Sequence, residues 1–233
     1  MRTLPRIGLL CVAAVAASGC ATLQQMQDPK ARQAAKYREQ HATFRSQEGW
    51  RELTYRHSDL LAKATAQNST VEISLKEQRG LLLVDGGIAM DFPVATGKAS
   101  HPTPQGSYEI LEKKKDHKSN LYGRMVSGEG QTVVSDADTR SHAVPEGGRF
   151  VGAPMPYWMR LTPTGVGMHV GYVPGRPASH GCIRLKREVA VQLFEILDLG
   201  SRVAVDLHAP SIGAPSKEEK VAAGETAAPR ASG

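Results

Sequence analysis

The chain of 233 residues carries 29 basic and 23 acidic side chains, a formal net charge of +6 at pH 7. Setting aside Arg2 and Arg6 leaves an excess of about +4, scattered and without a Lys/Arg-rich block or aromatic stacking motif, which argues against nucleic acid as a partner. So weak a surplus is compatible with a polyanionic envelope or with substrate carboxylates, and demands neither.

The first twenty residues bear on location. Arg2 and Arg6 precede a mostly apolar stretch from Ile7 to Ala17, and Ala17-Ser18-Gly19-Cys20 closes it with small residues before a cysteine. This is the layout of a secretory signal, too short in its apolar part for a permanent membrane helix. It resembles a bacterial lipoprotein signal, with Ala17 where leucine is commoner. The resemblance implies removal of residues 1–19 and lipid on Cys20. Ala21 after that cysteine implies passage to the outer membrane, facing the periplasm. An ordinary signal peptide cleaved nearby is the alternative. Of the three cysteines, Cys11 would leave with the signal and Cys20 would be acylated, so Cys182 remains alone. A lone thiol in an oxidising compartment forms no cross-link within its own chain. It is either buried and inert or it is used.

Residues 20–68 are charged, glutamine-rich and poor in proline after Pro29. Good helix formers from Lys30 to Gln40, then Trp50, Leu53, Tyr55, Leu60 and Leu61 as a broken apolar stripe, predict a tether and one or two helices packed loosely on a folded domain. At Thr70 the period changes. Val71, Ile73 and Leu75 alternate with Glu72 and Ser74, a strand with one buried face. Leu81 to Val84 runs back, Asp85-Gly86-Gly87 turns the chain, and Ile88 to Val94 continues it, the signals of successive hairpins. Ser107 to Leu111 alternates again. From Glu112 to Gly148 the chain is polar, with a short strand expected near Gln131 to Val134. An excursion of this length is either a plain insertion or the border of a substrate groove. Tyr157, Trp158 and Met159 form the densest aromatic cluster, read as core ahead of a ligand platform.

Val166, Met168 and Val170 share one face of a further strand, which puts Gly167 and His169 on the other. After the cysteine, Val189, Leu193, Phe194 and Leu197 recur at helical spacing from Lys186 to Leu197. Arg202 to Leu207 alternates as a last strand with Val203, Val205 and Leu207 inward. Residues 208–233, rich in Ala, Pro, Gly and Ser, are expected to be disordered. The chain thus divides into 1–19, a signal; 20–68, tether and helical extension; 69–207, a folded domain; and 208–233, a tail.

The stretch from Met168 to Leu185, MHVGYVPGRPASHGCIRL, carries the chemistry. His169 stands thirteen residues ahead of Cys182. A free thiol, with a pKa of about 8.5, is only slightly ionised at neutral pH until a base or cation assists it. The flanking Gly181 and the upstream Pro174 and Pro177 suggest a loop that delivers Cys182 to a surface. Cys182 is therefore the candidate nucleophile and His169 its candidate base.

These residues resemble the L,D-transpeptidase catalytic domain (the YkuD family) over about Thr70 to Leu207. The carriers are VEISLKEQRGLLLVDGG from Val71, FPVATGKASHPTPQGSYEI (Phe92 to Ile110), GMHVG (Gly167 to Gly171) and SHGCIRL (Ser179 to Leu185). The resemblance implies a mainly β, sandwich-like catalytic domain with short helices, here preceded by a helical N-terminal extension. It implies a peptidoglycan transpeptidase in which a cysteine attacks a stem-peptide amide between an L-centre and the following D-amino acid. The resulting thioester passes to an amine, giving a 3-3 cross-link or protein attachment. On that pattern Cys182 is the nucleophile and His169 the general base, its ring oriented by a backbone carbonyl from Val170 or Gly171. His180, Gly181 and Cys182 offer backbone N–H groups to an oxyanion hole, Ser179 and His180 shape the loop, and Arg184 binds a substrate carboxylate or anchors the loop, with a structural ion pair as the alternative. No cofactor and no metal are implied. The partners would be peptidoglycan stem peptides, the membrane through the lipid, and possible acceptor proteins. Only nine residues separate His169 from Ser179, which implies a shorter loop over the acyl site than in many members, and Lys186 stands where proline often follows the motif.

Three other readings compete. Water in place of the amine would make an L,D-carboxypeptidase or another hydrolase of the same bonds. A non-catalytic envelope-binding lipoprotein is disfavoured by the intact Cys182 and His169. Zinc on His169, His180 and Cys182 lacks a second cysteine or a suitably spaced acidic partner.

Overall fold

The alternation that begins at Val71 becomes a strand at the heart of a ten-stranded sheet. The computed structural model describes residues 29–209 and 211. The expected signal, the lipid site Cys20, and residue 210 with 212–233 of the expected tail lie outside the described residues. The strands are β1 (Tyr55–Arg56), β2 (Ser69–Ser74), β3 (Arg79–Val84), β4 (Gly87–Ala95), β5 (Gly106–Glu109), β6 (Glu112–Lys114), β7 (Lys118–Val126), β8 (Thr132–Asp138), β9 (Arg149–Pro154), β10 (Trp158–Arg160), β11 (Gly167–Val170), β12 (Ile183–Leu185) and β13 (Arg202–Asp206). Nine of them run in the order β5-β13-β2-β3-β4-β12-β11-β10-β6, with β1 added to β4, and β8-β7-β9 forms a separate three-stranded sheet. The protein is mainly β with few short helices and one N-terminal helix, Pro29–Arg45.

Val71 and Ile73 of β2, Leu82 and Val84 of β3, and Met90, Phe92 and Val94 of β4 pack with Met168, Ile183 and Leu185 in one core. The late helix Arg187–Ile196 covers that core with Val189, Ala190 and Leu193, and Leu197 follows it inward, so the helical spacing read from the sequence is the buried stripe. Each such fully buried aliphatic side chain contributes roughly 1.5–3 kcal/mol. Strand β3 is buried on both faces, because Leu81 and Leu83 meet Ala209 and Ile88 on the far side. Part of the expected disordered tail is therefore docked: Ala209 is buried, and Ser211 donates through N and Oγ to Glu72.

Three other expectations need correction. Residues 50–61 form no continuous helical stripe: a 3-10 turn (Trp50–Glu52), β1 and a one-turn helix (Ser58–Leu61) succeed one another. Leu207 is 49% exposed, beyond the end of β13. The N-terminal helix, expected to pack loosely, is tied down by a buried ion cluster. Asp91 of β4, fully buried, accepts from His41 Nε2 (2.8 Å) and Arg45 Nε (2.8 Å) of the helix and from Arg79 Nε (2.7 Å) of β3. Burial alone would raise the Asp91 pKa, but the hydrogen bond from His41 and the charges of Arg79 and Arg45 outweigh it and hold it low. Arg79 also caps the Arg51 and Leu53 carbonyls (2.8 and 3.0 Å), and Trp50 lies against Arg45, Arg51 and Arg79. The extension is thus stitched to the sheet by paired charge as well as by Phe44.

Candidate active site

The site is a patch on one face of four neighbouring strands. β11 and β12 run parallel with His169 opposite Arg184 and Met168 opposite Ile183. β10 pairs antiparallel with β11, Met159 opposite Met168 and Arg160 opposite Gly167, and β6 places Lys114 beside Trp158 and Glu112 beside Arg160. Residues on opposed positions share a face, and the period of two alternates faces along a strand. Continuing the registers by one step gives one row of Lys114, Trp158, His169 and Arg184, and beside it a row of Glu112, Arg160, Gly167 and Cys182. Met159, Met168 and Ile183, on the alternate face, are all in the core. Cys182 and His169 are therefore diagonal neighbours across the strand pair. Between them lies Gly167, the one position of the patch with no side chain.

This face opens into a groove of about 1000 Å³ lined by His169, Cys182, Arg184, Arg160, Trp158 and residues of β7 to β9. His169 is buried, and its Nδ1 lies 2.8 Å from the Val170 carbonyl oxygen. A carbonyl can only accept, so Nδ1 carries the hydrogen and Nε2 keeps the lone pair. Of the two carbonyls expected to orient the ring, it is Val170's that does so. Burial lowers the His169 pKa to about 4, the hydrogen bond to Val170 pulling the other way and the charge of Arg184 adding to the drop. Burial raises the Cys182 pKa, opposed by the Gly167 N–H and by the charges of Arg184 and Arg160. Both groups are thus neutral at pH 7. The thiol donates to the Gly165 carbonyl at 3.7 Å, and it is a free thiol.

The Ser-His-Gly-Cys loop is held by the Thr-Gly-Lys…Pro-Thr segment. Ala178 and Ser179 N–H groups donate to the Thr96 carbonyl (2.9 and 3.0 Å), and Lys98 N–H donates to the Ser179 carbonyl (3.0 Å). Thr103 Oγ1 accepts from Gly97 N–H (2.8 Å) and donates to the Gly181 carbonyl (2.7 Å). A Cβ on Gly97 would fall 2.0 Å from the His101 carbonyl oxygen, so only glycine closes this anchor. Gly181 adopts φ +111°, a conformation that favours glycine. Its N–H donates to Ser179 Oγ (3.1 Å), whose hydroxyl in turn donates to the Cys182 carbonyl. The Gly181 N–H, expected in the oxyanion hole, is engaged within the loop. That narrows the expected donors to His180 and Cys182.

Arg184 lines the groove with an intermediate exposure, its stem packed on Gly171 where a Cβ would lie 2.8 Å from Cγ. Among the described residues no salt bridge joins it to an acid, so of its three expected roles the structural ion pair finds no partner. His180 stacks on Tyr122 (centroids 4.4 Å apart) beside His101 and lies 3.5 Å from Asp136. Burial lowers its pKa, with Asp136 opposing.

The polar excursion thus forms a groove wall: β6 joins the main sheet, and β7 and β8 bring Tyr122 and Asp136 to His180. Trp158, read with its neighbours as core, is only 1% exposed yet borders the groove on the His169 face. A hairpin signal was available. Pro163-Thr164-Gly165 closes the turn between β10 and β11, with Leu161 N–H donating to Val166 O at 2.8 Å, and folding at that turn sets Trp158 against His169.

The family model for the L,D-transpeptidase catalytic domain, YkuD, matches residues 68–205, more than half of the chain. The chain belongs to this family. Among curated proteins it is similar to probable L,D-transpeptidase 3 of Mycobacterium tuberculosis (strain ATCC 25618 / H37Rv), 29% identical over 121 residues, covering 49% of this chain and 38% of that protein. The match therefore spans well under half the length of that relative. Among solved structures it is similar to an L,D-transpeptidase from Mycobacterium smegmatis, with TM-score 0.46, 20% identity, and 60% and 58% of the two chains covered. It is also similar to the L,D-transpeptidase LdtMt1 in complex with imipenem, with TM-score 0.45, 22% identity, and 60% and 59% covered.

Proposed function

We propose that this L,D-transpeptidase-family protein is a cysteine acyltransferase acting on peptidoglycan stem peptides. The observation that carries the proposal is the placement of Cys182 and His169 on one face of two adjacent parallel strands, at the floor of a groove. Membership of the family supplies the substrate class.

With both groups neutral, attack and proton transfer are coupled. Cys182 Sγ bonds to the carbonyl carbon on the L-side of the scissile amide as His169 Nε2 takes the thiol proton. The oxyanion lies against the N–H groups of His180 and Cys182, where loss of one donor costs about 10²–10³ in rate. The C–N bond then breaks, His169 returns the proton to the departing D-amino acid nitrogen, and a thioester remains. An acceptor amine attacks that carbonyl, gives its proton to His169, and expels the sulfur, which recovers the proton. Arg184 holds a substrate carboxylate, and together with Arg160 it stabilises negative charge developing on sulfur.

Export belongs to the same proposal. Residues 1–19 act as a lipoprotein signal and Cys20 carries lipid, anchoring the domain in the periplasm at the outer membrane, on the support of the basic, apolar and small-residue order of residues 2–20.

Muropeptides incubated with the purified protein are expected to yield new dimers or exchanged D-amino acids, resolved by mass spectrometry, and C182A to yield none. Trimmed monomers alone would replace the transferase reading by an L,D-carboxypeptidase. No change with either protein would replace it by a non-catalytic envelope-binding role.

A further inference from the structure

Glu112, on the edge strand β6, has no assigned part in the chemistry, yet it organises the wall behind the base. Its Oε2 accepts from Trp158 Nε1 at 3.0 Å and from Arg160 Nε at 3.1 Å, and Lys114 Nζ binds its other oxygen. The indole so held leans diagonally over the gap in the patch. A Cβ on Gly167 would fall 2.6 Å from Trp158 Cη2 and 2.7 Å from Cζ3. The same ring lies 6.1 Å from the His169 ring, centroid to centroid, and stacks on His117 at 4.8 Å on its way into the groove.

We infer that Glu112 is a positioning residue: by fixing the Trp158 indole, it sets the wall against which the His169 ring rests and shuts water out from that side. This rests on His169 acting as the base. The tie is a durable one. Lys114, Arg160 and the indole N–H keep the Glu112 carboxyl charged down to about pH 2. An indole no longer held in this orientation would admit water over Gly167, and a hydrated imidazole regains the proton affinity that burial took from it. The other charged or titratable groups facing the ring are Arg184 from β12 and His117 before β7, with Cys182, Arg160 and Glu112 one row away and Lys114 beyond the indole in the same row.

The test measures the rate at which imipenem, a strained amide, adds its mass to Cys182 between about pH 4.5 and 8. In the wild type the rate is expected to stay level to the acid end of that range. E112A is expected to be slower by about tenfold and to show an acid limb displaced toward the ordinary histidine value of about 6.5. E112Q, which keeps an acceptor for the indole N–H, should rescue most of both effects. W158F, which has neither an N–H to hold nor the outer ring carbons that lie over Gly167, should reproduce the displaced limb even if E112A folds poorly. An unmoved limb in E112A and W158F, or E112Q as impaired as E112A, would overturn the inference while leaving Cys182 acylation intact. A wild-type thiol that imipenem never modifies would overturn the proposed function, and the inference with it.

Discussion

At pH 7 the Cys182 thiol and the His169 imidazole are both uncharged, because burial disfavours the ionic form of each. In the proposed mechanism the pair therefore works as a general-base couple, unlike the preformed ion pair of a cysteine drawn down by an exposed histidine. The same burial couples His169 to stability. Its folded pKa of about 4 lies below the ordinary 6.5 of the unfolded chain, so between those values the unfolded state binds more protons. Stability should be fully present above 6.5, fall as pH drops through that window, and lose on the order of 3 kcal/mol by its acid end. Thermal melts of wild type and H169Q across the window should show the slope in the first and its reduction in the second. Equal slopes would mean that the ring is not held neutral by the fold. His169 was legible in the sequence because alternation around it assigned Met168 to the core and the imidazole to the other face. Asp91 was not recognised, although a carboxylate inside the apolar run Gly87–Ala95 demands buried partners.

The two motifs that seemed separate in the sequence are one mechanical unit. Thr103 joins them, accepting from Gly97 and donating to Gly181, the second bond buried and the first half-buried. T103V keeps the shape and removes both, leaving the buried Gly181 carbonyl and the half-buried Gly97 N–H unpaired, and should cost about 1–3 kcal/mol in chemical denaturation. Because the Gly181 carbonyl is then free to turn, acylation of Cys182 should slow as well; unchanged stability and unchanged acylation would show that the anchor is incidental. The N-terminal helix makes a second case. D91A leaves Arg79 buried without its carboxylate and should destabilise the protein by about 3–5 kcal/mol, with early proteolytic release of residues near the helix. Local patterns announced β2, β4, β11, β13 and the late helix, since each buries a face that its own sequence encodes. They could not announce this anchor, where a threonine hydroxyl meets a backbone carbonyl 78 residues away.

At the scale of the whole molecule, the ten-stranded sheet supplies a rigid floor and the β8-β7-β9 sheet a wall, with the groove between them. Of the wall, sequence reading reached only the strand near Gln131 to Val134 and the groove border as one of two readings, because its strands are polar, half exposed and irregular in register, as in β7, where the pairing shifts on both sides. Such strands show little alternation, since neither face is deeply buried. The floor was legible where its strands alternate, as in β2 and β13, and the candidate pair because a lone thiol and a histidine on the non-core face stand out in any order. What the sequence could not convey was the row-by-row register that brings Glu112, Trp158 and Arg160 to the same face. The most direct measurement of the central claim is the intact mass of the protein during turnover on a tetrapeptide stem. The account predicts a transient adduct on Cys182 equal to the stem without its terminal D-residue, absent in C182A and scarcely formed in H169Q. An unmodified Cys182 throughout productive turnover, or an adduct that forms equally well without His169, would contradict it.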